Sequence, residues 1–334
     1  MRLRPVGILL LVFPLTGCNG WQSALDTHGP GAGSLETLFW IFLGVLATVW
    51  ILTMLALVAS LRTRRRPHAD PLSEDPAANR QMTGTVGALV AATAVIVLAL
   101  TGFSYAYQKR LMGEQDGTLT IKVTGQQWWW QVEYEDPQPS RTFTTANEIH
   151  IPVGEPVRLK LESSDVIHSF WVPSLIGKTD NIPGRQNVLE LQADREGIYR
   201  GQCAEFCGWQ HAHMGVLIIA KPKAEFESWR NQQIASASPA SDDERKRGEQ
   251  VFFTSPCIMC HSIRGTSAGG KVGPDLTHVG SRLTLAAGTL QNTRGNLAAW
   301  IVDPQRIKPG ANMPLIQVEP RDLNALVSYL EGLK

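Results

Sequence analysis

The sequence has almost no excess charge. Its 31 lysines and arginines meet 30 aspartates and glutamates, a formal net charge of +1. That balance excludes the basic footprint of a nucleic-acid binder, so no nucleic acid is expected as a partner. No internal repeat recurs along the chain, which excludes solenoids and propellers. Cysteine is scarce, with five residues in 334. An exported chain with an odd count would ordinarily pair four and leave one thiol over. Here Cys18, Cys203, Cys207, Cys257 and Cys260 each fall inside a short pattern with its own chemistry. The length suggests about two or three domains.

What is present begins with export and membrane signals. Arg2 and Arg4 precede an apolar stretch from Val6 to Leu15 that is too short to span a bilayer. Leu15-Thr16-Gly17-Cys18 resembles a bacterial lipobox, which predicts a signal segment at 1–17, lipidation of Cys18 and a short outer segment at 18–36. Two uncharged runs follow, at 37–61 and 82–106, each meeting the roughly 20-residue requirement of a spanning helix. Arg62, Arg64, Arg65 and Arg66 lie between them. The positive-inside rule therefore puts 62–81 in the cytoplasm and everything after the second span outside the plasma membrane.

Beyond the spans, the apolar residues alternate. Leu119, Ile121 and Val123 do so, as do Ile149, Ile151 and Val153, and Val157, Leu159 and Leu161. Pro and Gly break these runs, so short strands in a β-sandwich or Greek-key barrel are expected over 113–231. Inside this region lies "GQCAEFCGWQHAHM", in which Cys203, Cys207, His211 and Met214 are spaced C-x3-C-x3-H-x2-M. Thiolate, imidazole and thioether together favour copper over hard cations. A blue-copper site needs one cysteine, whereas two thiolates can bridge two metal ions. A second histidine is then required, and His168 in "DVIHSFWVPSLIGKTDNIPGR" is available. A Cys203–Cys207 disulfide is the alternative, and His213 competes with His211.

Together with "GQQWWW", these stretches resemble subunit II of haem–copper cytochrome c oxidases. The resemblance runs from the first spanning helix to about Trp229 and implies a two-helix transmembrane hairpin carrying a cupredoxin domain. It implies a dinuclear CuA centre bridged by Cys203 and Cys207, with His168 and His211 each capping one copper. Met214 and the backbone carbonyl of Glu205 would be weak axial ligands. The Glu205 side chain would serve a magnesium site facing subunit I. Trp128 would be the aromatic through which electrons come in. Asp165 is left without a chemical role, and His150 is expected at a surface or strand end. One departure matters: the family's glutamate and proline near the start of the second span, the former at the mouth of a proton channel, are both missing from residues 82–99.

A small polar linker, 232–243, leads to a third region, 244–334, with a helix start expected at Ser241–Glu244. Here "CIMCH", Cys257 to His261, is a c-type haem attachment signal: both thiols add to the haem vinyl groups, and the histidine is an axial ligand. The order of "GPDLTHVGSR", "NMP" and a terminal amphipathic helix resembles an all-α class I cytochrome c. Met313 is the expected sixth ligand, and His/Met ligation raises the haem potential. The resemblance makes the Pro274 carbonyl the partner that orients His261. His278 is expected near the surface or the propionates.

The parts together suggest a multi-domain membrane protein of the caa3 type. Electrons would pass from a cytochrome c or an upstream complex to haem c, to CuA, and on to subunit I. There oxygen is reduced with proton translocation, and subunit III would complete the complex. Two other readings compete: a CuA/haem c subunit of a nitric oxide reductase, and a free-standing membrane-anchored electron carrier.

Overall fold

The computed structural model describes residues 20, 22–63, 76–111 and 119–334. The expected signal segment, Cys18 and Arg64 to Arg66 lie outside the described residues.

Two long helices open the described chain, α1 (Pro30–Arg62) and α2 (Pro76–Leu111). Both are long and apolar enough to cross a membrane, and the most apolar stretch of each buries nothing inside the protein. Leu46, Trp50, Leu55, Leu89 and Leu98 all stand exposed. Helices that show apolar side chains all round find their solvent in lipid, and they anchor this chain. Each helix overruns the expected span. α1 begins at Pro30, where the ring supplies a helical φ and the missing N–H costs nothing. Its first turn is not in the apolar run because it serves the outer domain: Gly31 and Ala32 are buried, and the Ala32 amide donates to the Leu175 carbonyl at 2.9 Å.

The middle region is a sandwich of two five-stranded sheets. Its strands are β1 (Leu119–Gln126), β2 (Trp129–Tyr134), β3 (Phe143–Ala146), β4 (Glu148–Pro152), β5 (Val157–Ser163), β6 (His168–Val172), β7 (Ile176–Asn181), β8 (Asn187–Leu191), β9 (Gly197–Cys203) and β10 (Gly215–Lys221). One sheet runs β3-β2-β1-β5-β8 and the other β4-β10-β9-β6-β7. β1 pairs parallel with β5, and β10 parallel with β4, so the chain crosses between the sheets rather than meandering. The alternation read from sequence is the inner face: Ile121, Val123, Ile149, Ile151, Leu159 and Leu161 are all fully buried. Trp130 is fully buried with them, its ring edge-on to Phe170.

Helix α3 (Lys223–Ile234) closes the sandwich with Phe226 and Trp229. It ends inside the stretch expected as linker, because Ile234 still packs on the sandwich core. His150 is not a free surface residue. It stacks on Trp229 with ring centroids 3.9 Å apart and planes 8° from parallel.

The C-terminal region has its own core of Phe252, Ile301, Leu326, Val327 and Leu330. It is built from α4 (Asp243–Thr254), the single turn α5 (Cys257–Cys260), α6 (Arg294–Val302), α7 (Pro304–Ile307) and α8 (Pro320–Gly332). The cap of α4 is Asp242 rather than Ser241: its carboxylate accepts from the Arg245 amide at 2.9 Å. An ionised acceptor at the positive end of a helix is the stronger cap.

Candidate functional site

The loop between β9 and β10 carries the cysteines, and the start of β6 carries His168. Pairing of β6 with β9 brings these segments together, with Phe170 opposite Cys203. Cys203, Cys207, His168 and Met214 are all almost completely buried. The two sulfur atoms lie 3.7 Å apart as free thiols. Around them the donors fall into two sets. His168 Nδ1 is 3.9 Å from Cys203 Sγ, and the Glu205 carbonyl oxygen lies 3.2 Å from the same sulfur. His211 Nδ1 is 3.6 Å and Met214 Sδ 3.9 Å from Cys207 Sγ. His168, Cys203 and Cys207 form a group whose ligand atoms lie within 4.8 Å of one another. His213 is exposed, two residues from His211 on a short 3-10 helix, and takes no part.

The electrostatics suit a cation. Cys203 is drawn down to about 3, chiefly because Cys207 donates to it, with His168 and main-chain groups assisting against burial. Cys207 moves the other way, since its proton is held by Cys203. A metal ion held by this pair would take the place of the proton the two sulfurs share. Burial works against charge on His168, but the Cys203 sulfur and the Asp165 carboxylate outweigh it and raise its pKa.

Several residues hold this set in place. Asp165 Oδ1 sits 2.8 Å from His168 Nε2, which fixes the ring and leaves Nδ1 toward the sulfurs. The other Asp165 oxygen accepts from the Gln127 amide at 2.7 Å. The Cys207 carbonyl accepts twice, from Gln127 Nε2 at 2.7 Å and from the Trp128 indole at 2.9 Å. Gly125 lies against the imidazole: a Cβ there would be 2.7 Å from His168 Cδ2. The only sequence signal for Asp165 was its place three residues before His168; Gly125 and Gln127 lay within the GQQWWW stretch with no role given to either. The Glu205 carboxylate is half-exposed and pairs with Lys178 at 3.4 Å.

The second site is a cleft of about 330 Å³ in the C-terminal region. Cys257, Cys260, His261, Trp300 and Met313 line it, among apolar side chains. His261 Nδ1 is 2.7 Å from the Pro274 carbonyl, so its Nε2 is the free ligand atom. Gly273 packs on that ring, where a Cβ would stand 2.7 Å from His261 Cε1. Two thiols, one oriented imidazole and a thioether around one apolar cleft fit a covalently held haem. His278 is buried rather than surface-placed, and its Nε2 lies 3.2 Å from the Ala235 carbonyl in the linker.

The two sites share a wall. Gln127, Trp128 and Trp129 of the sandwich also line the haem cleft. Glu148, buried on β4, accepts from the amides of Leu283 and Thr284 across the interface, each at 2.8 Å. Arg264 donates to the Thr142 carbonyl at 2.6 Å.

Comparison with known proteins agrees with both halves. Residues 119–221 match the family described as cytochrome c oxidase subunit II, periplasmic domain, and residues 245–334 match cytochrome c. Cytochrome c oxidase subunit 2 of Alkalihalophilus pseudofirmus is 36% identical over 346 residues, spanning 100% of this chain and 97% of the relative. The subunit 2 of Bacillus subtilis is 32% identical over 230 residues, covering 66% of this chain and 63% of the relative. That of Bacillus sp. (strain PS3) is 32% identical over 249 residues, covering 70% and 68%. The first family implies copper and the second implies haem c, which is what the two donor sets suit. The chain belongs to the cytochrome c oxidase subunit II family, with a cytochrome c domain fused at its C-terminus.

Proposed function

We propose that this chain receives electrons for a respiratory haem–copper terminal oxidase. Electrons arrive from a cytochrome c or an upstream complex at the haem c domain, 244–334. They pass to the cupredoxin domain, 113–231, and leave for subunit I, where oxygen is reduced to water with proton translocation. The observation that carries this reading is the shared wall: Trp128 lines the haem cleft and bonds the Cys207 carbonyl.

In this proposal the copper centre is dinuclear. Cys203 and Cys207 would hold the ions between them, with His168, His211, Met214 and the Glu205 carbonyl as the remaining donors. The division of donors into two sets around two adjacent sulfurs supports it. Such a centre supplies one-electron transfer with little rearrangement. Cys257 and Cys260 hold the haem, with His261 and Met313 as its axial ligands. A magnesium ion at the subunit I face would take Glu205 away from Lys178.

Both helices would cross the plasma membrane, with the two outer domains on its outer face, subunits I and III alongside, and Cys18 lipidated. With neither glutamate nor proline at residues 82–99, protons would enter subunit I without a carboxylate from this segment.

The test is affinity purification of the full chain from membranes, with metal and haem analysis and gas turnover. Two coppers per haem c, a mixed-valence EPR signal and oxygen uptake support the proposal. Nitric oxide turnover without oxygen uptake would assign the chain to a reductase instead. Isolation without a haem-bearing partner would leave it a free electron carrier.

A further inference from the structure

Lys308 caps the C-terminus of α7 and is only 2% exposed. Its ammonium does not reach water. It points across the domain interface, where Nζ donates to the Trp128 carbonyl at 2.6 Å and the His213 carbonyl at 2.7 Å. A third bond goes to the Ala286 carbonyl of its own domain at 3.1 Å. Three donors thus meet three acceptors, two of them on the cupredoxin domain. A buried ammonium is tolerated only with such complete pairing, and a slip of the interface would leave donors unmatched.

The carbonyls it grips are informative. Trp128 bears the indole that bonds Cys207, and His213 lies between His211 and Met214. The segment following Lys308 continues the contact. The Pro309 carbonyl accepts from Gln210 Nε2 at 2.8 Å. Gly310, at φ 86°, lies flat on the Trp128 ring: a Cβ there would be 3.4 Å from Cη2. Three residues later the same segment delivers Met313 to the haem cleft. One short stretch therefore forms a wall of the haem site and the seat of Trp128.

We infer that Lys308 is a positioning residue for electron transfer between the two domains: it locks the 308–313 segment onto Trp128 in a single register. The step itself moves one electron from ferrous haem c, which becomes ferric, to the copper site, with no bond made or broken. This inference rests on the function proposed above.

The test uses the full chain in its purified complex, as wild type, Lys308→Met and Lys308→Gln, with Glu148→Gln as a second interface variant whose bonds go to Leu283 and Thr284 and not to Trp128 or the 308–313 segment. Copper and haem content and both potentials are measured first; absence of copper from the wild type would overturn the proposed function and the electron-transfer role with it, whereas copper present with unaltered kinetics in the variants would overturn this inference alone. Flash reduction of haem c then follows the transfer. Hydrogen exchange of residues 126–130 and 308–313 reports the register independently of turnover. With content and potentials unchanged, Lys308→Met is expected to slow transfer by about tenfold or more and to raise exchange in both segments. Lys308→Gln, which keeps one or two of the bonds, is expected between Met and wild type, and it carries the test should Lys308→Met fail to assemble. Wild-type rates and exchange in the Lys308 variants would overturn the inference. Equal slowing by Glu148→Gln would do so too, since general docking and not this lysine would then set the rate.

Discussion

The indole N–H of Trp128 donates to the Cys207 carbonyl at 2.9 Å while the same ring lies against Gly310 of the other domain. One side chain thus touches a cysteine of the copper loop and the wall of the haem cleft. Trp128→Phe keeps an aromatic ring but removes the indole N–H together with the ring atoms that face Gly310. The expected loss is ~1 kcal/mol for the hydrogen bond, since Gln127 still serves the same carbonyl, plus a packing loss from the smaller ring. Haem-to-copper transfer should slow while copper content holds. Thermal unfolding paired with flash kinetics checks both parts.

The tight seat of His168 gives a second expectation. Gly125→Ala would put a methyl 2.7 Å from His168 Cδ2. Its strand is paired on both sides, so the imidazole and not the backbone must yield. The ring would leave the sulfurs and its bond to Asp165. Copper per haem c should fall well below wild type, with haem content unchanged, as read by elemental analysis.

The two sites should also fail separately. Cys207→Ser removes one of two adjacent sulfurs, and Met214→Leu removes a buried thioether 3.9 Å from it. Both should disturb the copper EPR signal, the cysteine change more completely. Neither side chain lines the haem cleft, so covalent haem c should persist in both. Loss of haem from a folded Cys207→Ser chain would show that the sites are not independent.

These relationships differ in how far the sequence revealed them. The copper loop was legible because its donors fall within one short stretch and their spacing is chemical. The sandwich was legible too, since alternation at Ile121, Val123, Leu159 and Leu161 is imposed by a half-buried sheet. Asp165 was visible but mute: only the fold shows its carboxylate on His168 Nε2. Lys308 could not be read at all. Its acceptors on Trp128 and His213 lie far away in sequence, and no local pattern encodes a domain docking. His278 was expected at the surface or the propionates and His150, for want of a motif, at a surface or strand end, yet both have partners supplied by distant segments, the linker carbonyl of Ala235 and the ring of Trp229.

On the haem side, Met313 and His261 line the same cleft, and His261 is oriented through the Pro274 carbonyl. Met313→Ala leaves both attachment cysteines in place. Haem should remain covalently bound, with the reduction potential lowered by loss of the thioether. Spectroelectrochemistry of the purified complex measures this. An unchanged potential would remove Met313 from the ligand set.

The last expectation concerns acid stability. His150 is enclosed by the sandwich and Trp229, and burial, with Lys221 adding repulsion, brings its pKa down to about 3 from an ordinary value near 6.5. The folded protein thus keeps this ring neutral where an unfolded chain would protonate it. Between those values the unfolded state binds the extra proton, so stability rises with pH. The contribution is complete above pH 6.5 and is lost as pH falls toward 3, at a slope of at most about 1.4 kcal/mol per pH unit for one proton. His150→Phe preserves a flat ring against Trp229 and removes the titration, along with an Nδ1 that has no hydrogen-bond partner among the described residues. Denaturant unfolding followed by Trp fluorescence from pH 7 to pH 4 should show wild type losing stability faster than the variant. Parallel pH profiles would mean that His150 takes up its proton without leaving the stack.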